Sequence, residues 1–415
     1  MSNRDILTEI KNKQRPVIIY GAGVVGKALL SLLENEGIEV DCFCDASFKV
    51  AESDFCGKQV ILTPDLRCKY EDAVFVISVA AIKDVVERLH NLGYANWYAG
   101  GLLLKDLNVS QGDLCTSIDY PKFAIETCIY CHDQYLDPGK LSLRSIDIII
   151  TERCSLRCRD CSNLMQYYAK PKDCDTDLVL KSIDAFCSVF DEVIEFRIIG
   201  GEAFMNRDWP VIVKRLTDEP KGKRVVIYSN ATFLPDRKKT GCLKHPKVLL
   251  NITDYGPLSR KFAEFKGMLE SSAIAYHVIA SPGWLDCSSI IPHRRSREEK
   301  IEVFKNCCAK NMATLSDGKL HRCPYGANAL RLSAVSDERT DYVDLFEKPL
   351  DAEGVLAMKS KVRDYLWHRE YLEVCDFCRG RPLAGPEVEA AVQIDEPLSY
   401  QRYSQEQISD VGCRV

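Results

Sequence analysis

Short apolar runs alternate along this chain with stretches in which apolar residues return every three to four positions, the pattern of buried strands and amphipathic helices in turn. PVIIY at 16–20 reads as a strand, and GAGVVGKALLSLLENEG continues as a glycine turn opening a helix. IEVDCFCD, ending at Asp45, KQVILTP and AVFVISV read as further strands, with a helix from about Ala81 to Asn91. The alternation predicts an α/β, doubly wound parallel domain over 1–104. Over 105–144 the pattern weakens into a linker, with CIYCHDQYLDPGK as a loop. LRSIDIIIT then sets down a strong strand. A helix at 177–190, VIEFRIIGG, a helix at 208–217, KRVVIYSN, KVLLNITDYG, a helix at 258–271 and IAYHVIAS follow. Repeated units of this length predict a partial (β/α)6 TIM-type barrel over 145–305. A helix at 297–306 leads to MATLSDGKLHRCP, where Asp317-Gly318 between two β-like runs reads as a hairpin turn. A small C-terminal α+β module over 306–385 contains a helix at 353–371, and the polar stretch 386–415 reads as a loosely attached tail.

Composition narrows the function. At 415 residues the chain is long enough for two or three domains of roughly 150 residues each. Its 55 basic and 60 acidic side chains leave a net charge of −5, with no basic run of the kind that grips phosphate backbones, so nucleic acid is not an expected partner. The first residues carry no apolar signal core and no stretch is apolar enough to span a bilayer, which predicts a cytoplasmic protein without a membrane partner. Twenty cysteines are many for a reducing compartment, so some should hold metal or do chemistry.

The sharpest arrangement follows strand SIDIIIT: Cys154-Ser-Leu-Arg-Cys158-Arg-Asp-Cys161. Three thiolates this close can grip one iron–sulfur cube and leave its fourth iron open to a reactant. The next strand ends in Gly200-Gly201-Glu202, at the face where barrel sites are built. Glycines there let a ligand's amino group approach backbone carbonyls, and the glutamate offers a negative partner to a cation. Ser229-Asn230 closes a third strand and Asn251 lies on a fourth; each is a ligand contact or, equally, a cap or turn residue.

Together these motifs resemble the radical S-adenosylmethionine superfamily over residues 145–380. The resemblance implies a four-iron four-sulfur cluster on Cys154, Cys158 and Cys161. It also implies S-adenosylmethionine bound at the open iron, with Gly200, Gly201, Glu202, Ser229, Asn230 and Asn251 as its contacts. Cleavage to methionine and a 5′-deoxyadenosyl radical, which abstracts hydrogen from a C–H bond, comes with it. So does an external flavodoxin- or ferredoxin-like electron donor. Asp160 stands where the family often has an aromatic residue, which removes an expected adenine contact.

Further on, Cys307-Cys308, Gly318, Cys323 and Cys375-Asp-Phe-Cys378 resemble the shortened auxiliary-cluster domain of the same superfamily, called twitch and related to SPASM. That similarity implies a second four-iron four-sulfur cluster on Cys308, Cys323, Cys375 and Cys378, with Cys307 as the alternative to Cys308. Zinc is the competing occupant for such cysteine pairs. A fully ligated cluster cannot bind S-adenosylmethionine, so it would accept or pass electrons. Relatives with this element include a cyclitol dehydrogenase and sugar epimerases. An epimerase needs a hydrogen donor, and Cys287, in neither cysteine set, is the candidate, against the alternative of a small buried hydrophobe. Cys128 and Cys131, with Cys115 nearby, lack a fourth ligand and read as a structural pair.

At the N-terminus, Gly21-Ala-Gly23-Val-Val-Gly26 followed by Asp45 fits a dinucleotide fingerprint: turn glycines admit a pyrophosphate to the helix N-terminus and the carboxylate meets ribose hydroxyls. The segment resembles Rossmann-like modules of sugar-modifying enzymes, which implies NAD, a nucleotide-activated sugar, or a structural role alone. The leading expectation is an oxidoreductase or epimerase acting at a C–H bond of a hydroxylated small molecule, a sugar or nucleotide-sugar, in glycan or natural-product biosynthesis. The alternatives are a radical enzyme maturing a ribosomal peptide and a zinc-stabilised nucleotide-sensing binding protein.

Overall fold

The computed structural model describes residues 3–46, 54–105, 120–137, 139–281, 283–382 and 385–403. The chain divides into two compact units, Met1–Lys140 and Leu141–Val415. In the first, α1 (Asn3–Asn12) precedes β1 (Val17–Tyr20), α2 (Val24–Asn35), β2 (Cys42–Asp45), β3 (Asp54–Phe55) and β4 (Lys58–Leu62). Then come α3 (Leu66–Lys69), β5 (Val74–Ile77), α4 (Ile82–Asn91), β6 (Trp97–Ala99), α5 (Gly100–Leu103) and α6 (Tyr120–Leu136). The sheet order is β3-β4-β2-β1-β5-β6, parallel except for the β3–β4 hairpin. Successive side chains of a strand leave by opposite faces. Thus Ile19, Val74 and Val76 pack with Leu29 and Leu33 of α2, while Ile18, Phe75 and Ile77 pack with Val85 and Leu89 of α4. Burial on both faces explains why these strands are unbroken apolar runs.

The segment expected to be a loop around Cys128 is instead the second half of α6. Its inward side carries Ile125, Cys128 and a fully buried His132. The Gly101 N–H donates to His132 Nδ1 at 3.0 Å, so the ring is neutral and Nε2–H donates to the Val79 carbonyl at 3.0 Å. Burial lowers this histidine to about 4. A histidine scored as a surface residue thus hides an amphipathic helix. Cys128 approaches the Ser78 carbonyl at 3.5 Å, as a structural thiol would, and Cys115 lies outside the described residues.

The second unit runs β7 (Ser142–Ile149), α7 (Thr176–Val189), β8 (Glu192–Ile199), α8 (Trp209–Thr217), β9 (Gly222–Ser229), β10 (Val248–Asp254), α9 (Phe262–Ser271) and β11 (Tyr276–Ala280). It continues with β12 (Gly283–Leu285), α10 (Arg297–Asn306), β13 (Thr314–Ser316), β14 (Lys319–His321), α11 (Pro324–Arg331), β15 (Tyr342–Asp344), α12 (Ala352–His368) and β16 (Glu387–Glu389). The main sheet is ordered β11-β10-β9-β8-β7-β13-β14-β15. Strands β7 to β11 and β13 are parallel, consistent with a partial barrel, and β14 and β15 extend it antiparallel. The sixth parallel strand is not another βα unit after β11 but the first strand of the expected hairpin, laid on the free edge of β7. Asp317 and Gly318 adopt φ of 51° and 77°, the left-handed pair that a two-residue hairpin turn requires.

The tail expectation fails over 385–403. Strand β16 pairs with β12, Leu398 N–H donates to the Gln166 carbonyl at 2.9 Å, and the Tyr400 ring meets Tyr167 edge-on. Backbone pairing of this kind needs no apolar pattern, which is why the composition concealed it; residues 404–415 lie outside the described residues.

A buried ion pair ties the end of β7 to α11: Arg331 Nη2 reaches Glu152 Oε1 at 2.7 Å, with side chains 11% and 5% exposed. Removing one partner strands the other charge in the interior. Arg331→Met should therefore lower stability by about 3–5 kcal/mol, read as a drop in urea midpoint, and adding Glu152→Gln should restore part of it.

Candidate active site

The loop carrying the three clustered cysteines is built against the end of β8. The N–H groups of Gly201 and Glu202 donate to the carbonyls of Thr151 and Arg153 at 3.1 and 2.8 Å, so strand pairing continues into the loop. A Cβ on Gly200 would collide with the Thr151 carbonyl, and one on Gly201 with the Arg153 carbonyl and Cys154. The glycines are therefore needed for close backbone approach between two strand ends, and both also line the cavity that opens there. Glu202 is not among the lining residues. It is fully buried, accepts from Asn230 N–H at 2.8 Å and Phe204 N–H at 3.5 Å, and is raised to about 7 by burial. Its side chain thus braces the Asn230 turn from within.

That cavity has a volume of about 280 Å³ and is lined by Cys154, Cys158 and Cys161 together with Ser229 and Asn230 at the end of β9. Thr253 and Tyr255 at the end of β10 complete this side. Asn251 lies two residues before Thr253 on the same face of the strand, with its buried Oδ1 lacking a hydrogen-bond partner, and is not itself on the lining. Asp160, at the position short of an aromatic residue, also lines the cavity and pairs with Arg159 at 2.8 Å.

Burial pushes all three thiols up, Cys158 to about 11. Each nonetheless faces N–H donors that would favour an anionic sulfur. Asn230 Nδ2 lies 3.6 Å from Cys154 Sγ, and Gln393 Nε2 lies 3.2 Å from Cys158 Sγ. Backbone N–H groups of Asn163, Leu164 and Met165 face Cys161. Among the described residues no three His, Cys, Asp or Glu side chains converge on a single metal ion. Thiols spread around an open cavity and met by N–H donors suit a multi-atom cluster of thiolate-bound iron instead.

Charged side chains share this lining. Asp147 on β7 and Arg197 on β8 form an ion pair at 3.2 Å, the guanidinium lies 4.8 Å from the Tyr228 ring centre, and all three line the cavity with Arg381 and Trp284. Burial raises Asp147 to about 6, against the pull of Arg197 and Arg381. None of these charged residues was singled out from the sequence. Asp147 and Arg197 sit inside apolar strand runs, and only the barrel's inward face distinguishes them.

A second cavity is lined by Cys307, Cys323, Cys375 and Cys378, with Lys310 and Arg322. Of the two expected alternatives, Cys307 and Cys308, Cys307 is the one on this lining. Cys307 follows α10 directly, and the next residue, Cys308, donates its backbone N–H to the Arg381 carbonyl at 2.8 Å. Cys323 caps α11 and accepts from Gly326 N–H at 3.4 Å; Cys378 accepts from Gly380 N–H at 3.1 Å. Asp341 accepts from the N–H groups of Glu373 and Val374, and Arg295 donates to the carbonyls of Cys375 and Cys378, which locks the turn.

Cys287 is also displaced from its expected place. It is buried, its carbonyl lies 3.9 Å from Cys378 Sγ, and it is absent from the lining of the barrel cavity, which takes Trp284 and Leu285 instead.

In the N-terminal unit Gly21 has φ of 119° and Gly26 packs on the Gly21 carbonyl, while Gly23 at the start of α2 faces open space. Asp45 Oδ2 accepts from Ala22 N–H at 2.9 Å, so its carboxylate braces the glycine turn.

Residues 148–260 match the Radical SAM superfamily and residues 13–97 match the family described as C2185-like, N-terminal. The second unit therefore carries a radical SAM domain, and that family implies a four-iron four-sulfur cluster and S-adenosylmethionine. Among solved structures, the chain is similar to BtrN in complex with AdoMet and 2-DOIA, at 15% identity and a TM-score of 0.38, over 62% of this chain and 98% of that one. It is also similar to anSMEcpe with bound AdoMet, at 11% identity and a TM-score of 0.35, over 57% and 89%. Streptococcus suis SuiB bound to precursor peptide SuiA matches at 16% identity and a TM-score of 0.29, over 70% and 61%. No helix among the described residues is long and apolar enough to cross a membrane.

The two cysteine sets make different demands on iron content. With both filled, a reconstituted chain should hold about eight irons. Cys307→Ala should hold about four and Cys308→Ala about eight, measured by iron and labile sulfide analysis; the reverse pattern would return the ligand role to Cys308.

Proposed function

We propose that this protein is a radical SAM oxidoreductase that removes hydrogen from a C–H bond of a hydroxylated small molecule, a sugar or nucleotide-sugar, in glycan or natural-product biosynthesis. The observation that carries this reading is one cavity lined both by three N–H-supported thiols and by the Asp147–Arg197 pair, with Arg381 on the same lining. Polar groups held this rigidly favour a substrate rich in hydroxyls or carrying a negative charge. Bound at Cys154, Cys158 and Cys161, the cluster and S-adenosylmethionine would supply a radical strong enough to take hydrogen from carbon.

Of the two reactions, dehydrogenation accords better with the geometry than epimerisation, because Cys287 lies off the cavity. A carbinol that has lost a hydrogen atom becomes a carbonyl by giving up one electron and its hydroxyl proton. Two carboxylates line the cavity, Asp147 and Asp160; Asp160 is paired with Arg159, and we assign the proton to Asp147, which burial holds nearer to neutral titration. The four thiols Cys307, Cys323, Cys375 and Cys378 would hold a second four-iron four-sulfur cluster as the electron acceptor, reoxidised by a flavodoxin- or ferredoxin-like protein.

For the N-terminal unit we infer nucleotide binding, NAD or the nucleotide part of an activated sugar, at the open turn around Gly23 at the carboxyl ends of the parallel strands.

Cys158→Ala should abolish 5′-deoxyadenosine formation. Asp147→Asn should keep the iron and the cleavage of S-adenosylmethionine but lower product formation from sugar nucleotides by about 10²–10⁴-fold, the loss expected for a missing base. Zinc in place of iron would exclude radical chemistry, and turnover of a small peptide with no sugar nucleotide accepted would move the substrate to the peptide class.

A further inference from the structure

The strap from Glu387 to Tyr400 belongs to no part of the reaction described so far, yet it crosses the loop that carries the three cysteines. Strand β16 fastens its start to β12. Arg159 N–H then donates to the Val392 carbonyl at 2.8 Å and Ile394 N–H to the Arg157 carbonyl at 2.9 Å, so the strap pairs with the cysteine loop on both sides of Cys158. Its far end is seated by Tyr400, whose hydroxyl donates to the Leu332 carbonyl at 2.9 Å.

Gln393 sits at the crossing. Its Oε1 accepts from Arg157 N–H at 2.9 Å. A backbone N–H can only donate, so this contact fixes the orientation of the amide and leaves Nε2 as the group facing Cys158 Sγ at 3.2 Å. Nε2 also donates to the Ala391 carbonyl at 2.7 Å, which holds it in place. Cys158 is 7% exposed beneath this cover.

We propose that Gln393 is a positioning residue that tunes the radical cluster: its amide N–H bonds to the Cys158 sulfur, favouring the reduced cluster, while the strap shields that sulfur from water. The physical basis is general. Hydrogen bonds to ligand sulfurs and solvent exposure are among the determinants of an iron–sulfur cluster's potential, and a donated N–H stabilises the more electron-rich state. The proposal rests on Cys158 being a cluster ligand, and the test separates the two ideas.

The test is an EPR-monitored redox titration of the reconstituted full-length protein, following the signal that changes on adding S-adenosylmethionine. Gln393→Met removes the donor without adding charge. Gln393→Glu keeps an acceptor for Arg157 N–H, removes the N–H and adds a negative charge that lowers the potential in the same direction, so it serves if the first variant loses its cluster. Tyr400→Phe loosens the strap away from sulfur. Gln393→Met should show about tenfold less reduced cluster at a fixed poise, a fall of about 59 mV for one electron, Gln393→Glu at least as large a fall, and Tyr400→Phe should match wild type. In the iron-free protein, alkylation of Cys158 relative to Cys154 and Cys161 should fall severalfold in Gln393→Met, because the thiolate is the nucleophile and the N–H that favours it is gone while Met fills the same space.

An unchanged potential in both Gln393 variants, with the S-adenosylmethionine-sensitive signal intact, overturns the proposal and leaves the cluster assignment standing. An equal shift in Tyr400→Phe also overturns it, because the effect would then belong to strap seating. Absence of that signal in the wild-type protein overturns the cluster assignment and the proposal together.

Discussion

The loop from Arg153 to Cys161 has no ladder of its own, so its shape is imposed from outside, and the rest of the site depends on that. The end of β8 supplies the first constraint: Gly200 and Gly201 let two backbones approach closely enough for the N–H groups of Gly201 and Glu202 to reach the Thr151 and Arg153 carbonyls. Asn230 supplies the second. Its Oδ1 accepts from Thr232 N–H at 3.0 Å, which turns Nδ2 toward Cys154, and its own N–H is held by the buried Glu202 carboxylate. The strap supplies the third, on the side of Cys158. Three distant segments thus place three sulfurs, and a buried thiol that resists ionisation alone is given the N–H donors that a thiolate needs.

The same logic separates the two cysteine cavities. The barrel cavity is open and is lined by three thiols together with Asp147, Arg197, Tyr228 and Arg381, so thiols and charge share one space. The C-terminal cavity offers four thiols and a locked turn, with Asp341 and Arg295 holding the loop of Cys375 and Cys378 by its backbone. An open site suits chemistry and a closed one suits electron transfer. Arg381 is a physical link between them: its side chain lines the barrel cavity and its carbonyl takes the N–H of Cys308.

Much of this was legible beforehand where the chemistry is carried by spacing. The parallel strands of both units, the hairpin at Asp317-Gly318 and the grouping of Cys154, Cys158 and Cys161 beside Gly200-Gly201 follow from apolar periodicity and residues close in sequence. Errors fell where contacts replace pattern. Helix α6 was hidden because buried His132 counts as polar in a periodicity argument, although its two nitrogens are satisfied by Gly101 and Val79. The strap was hidden because backbone pairing leaves no mark in composition.

Sequence alone determined the class of chemistry, because three thiols and two glycines at fixed spacing can be read without knowing where the chain goes next. Tertiary structure decided which neighbours share a cavity. It put Cys307 rather than Cys308 on the lining of the second cavity, kept Cys287 off the lining of the first, and brought Asp147 and Arg197 onto the same cavity as Cys154, Cys158 and Cys161. The physical reason is the same in each case. The direction of a side chain at a strand end or turn is set by backbone hydrogen bonds to segments tens to hundreds of residues away, and local sequence does not encode that direction.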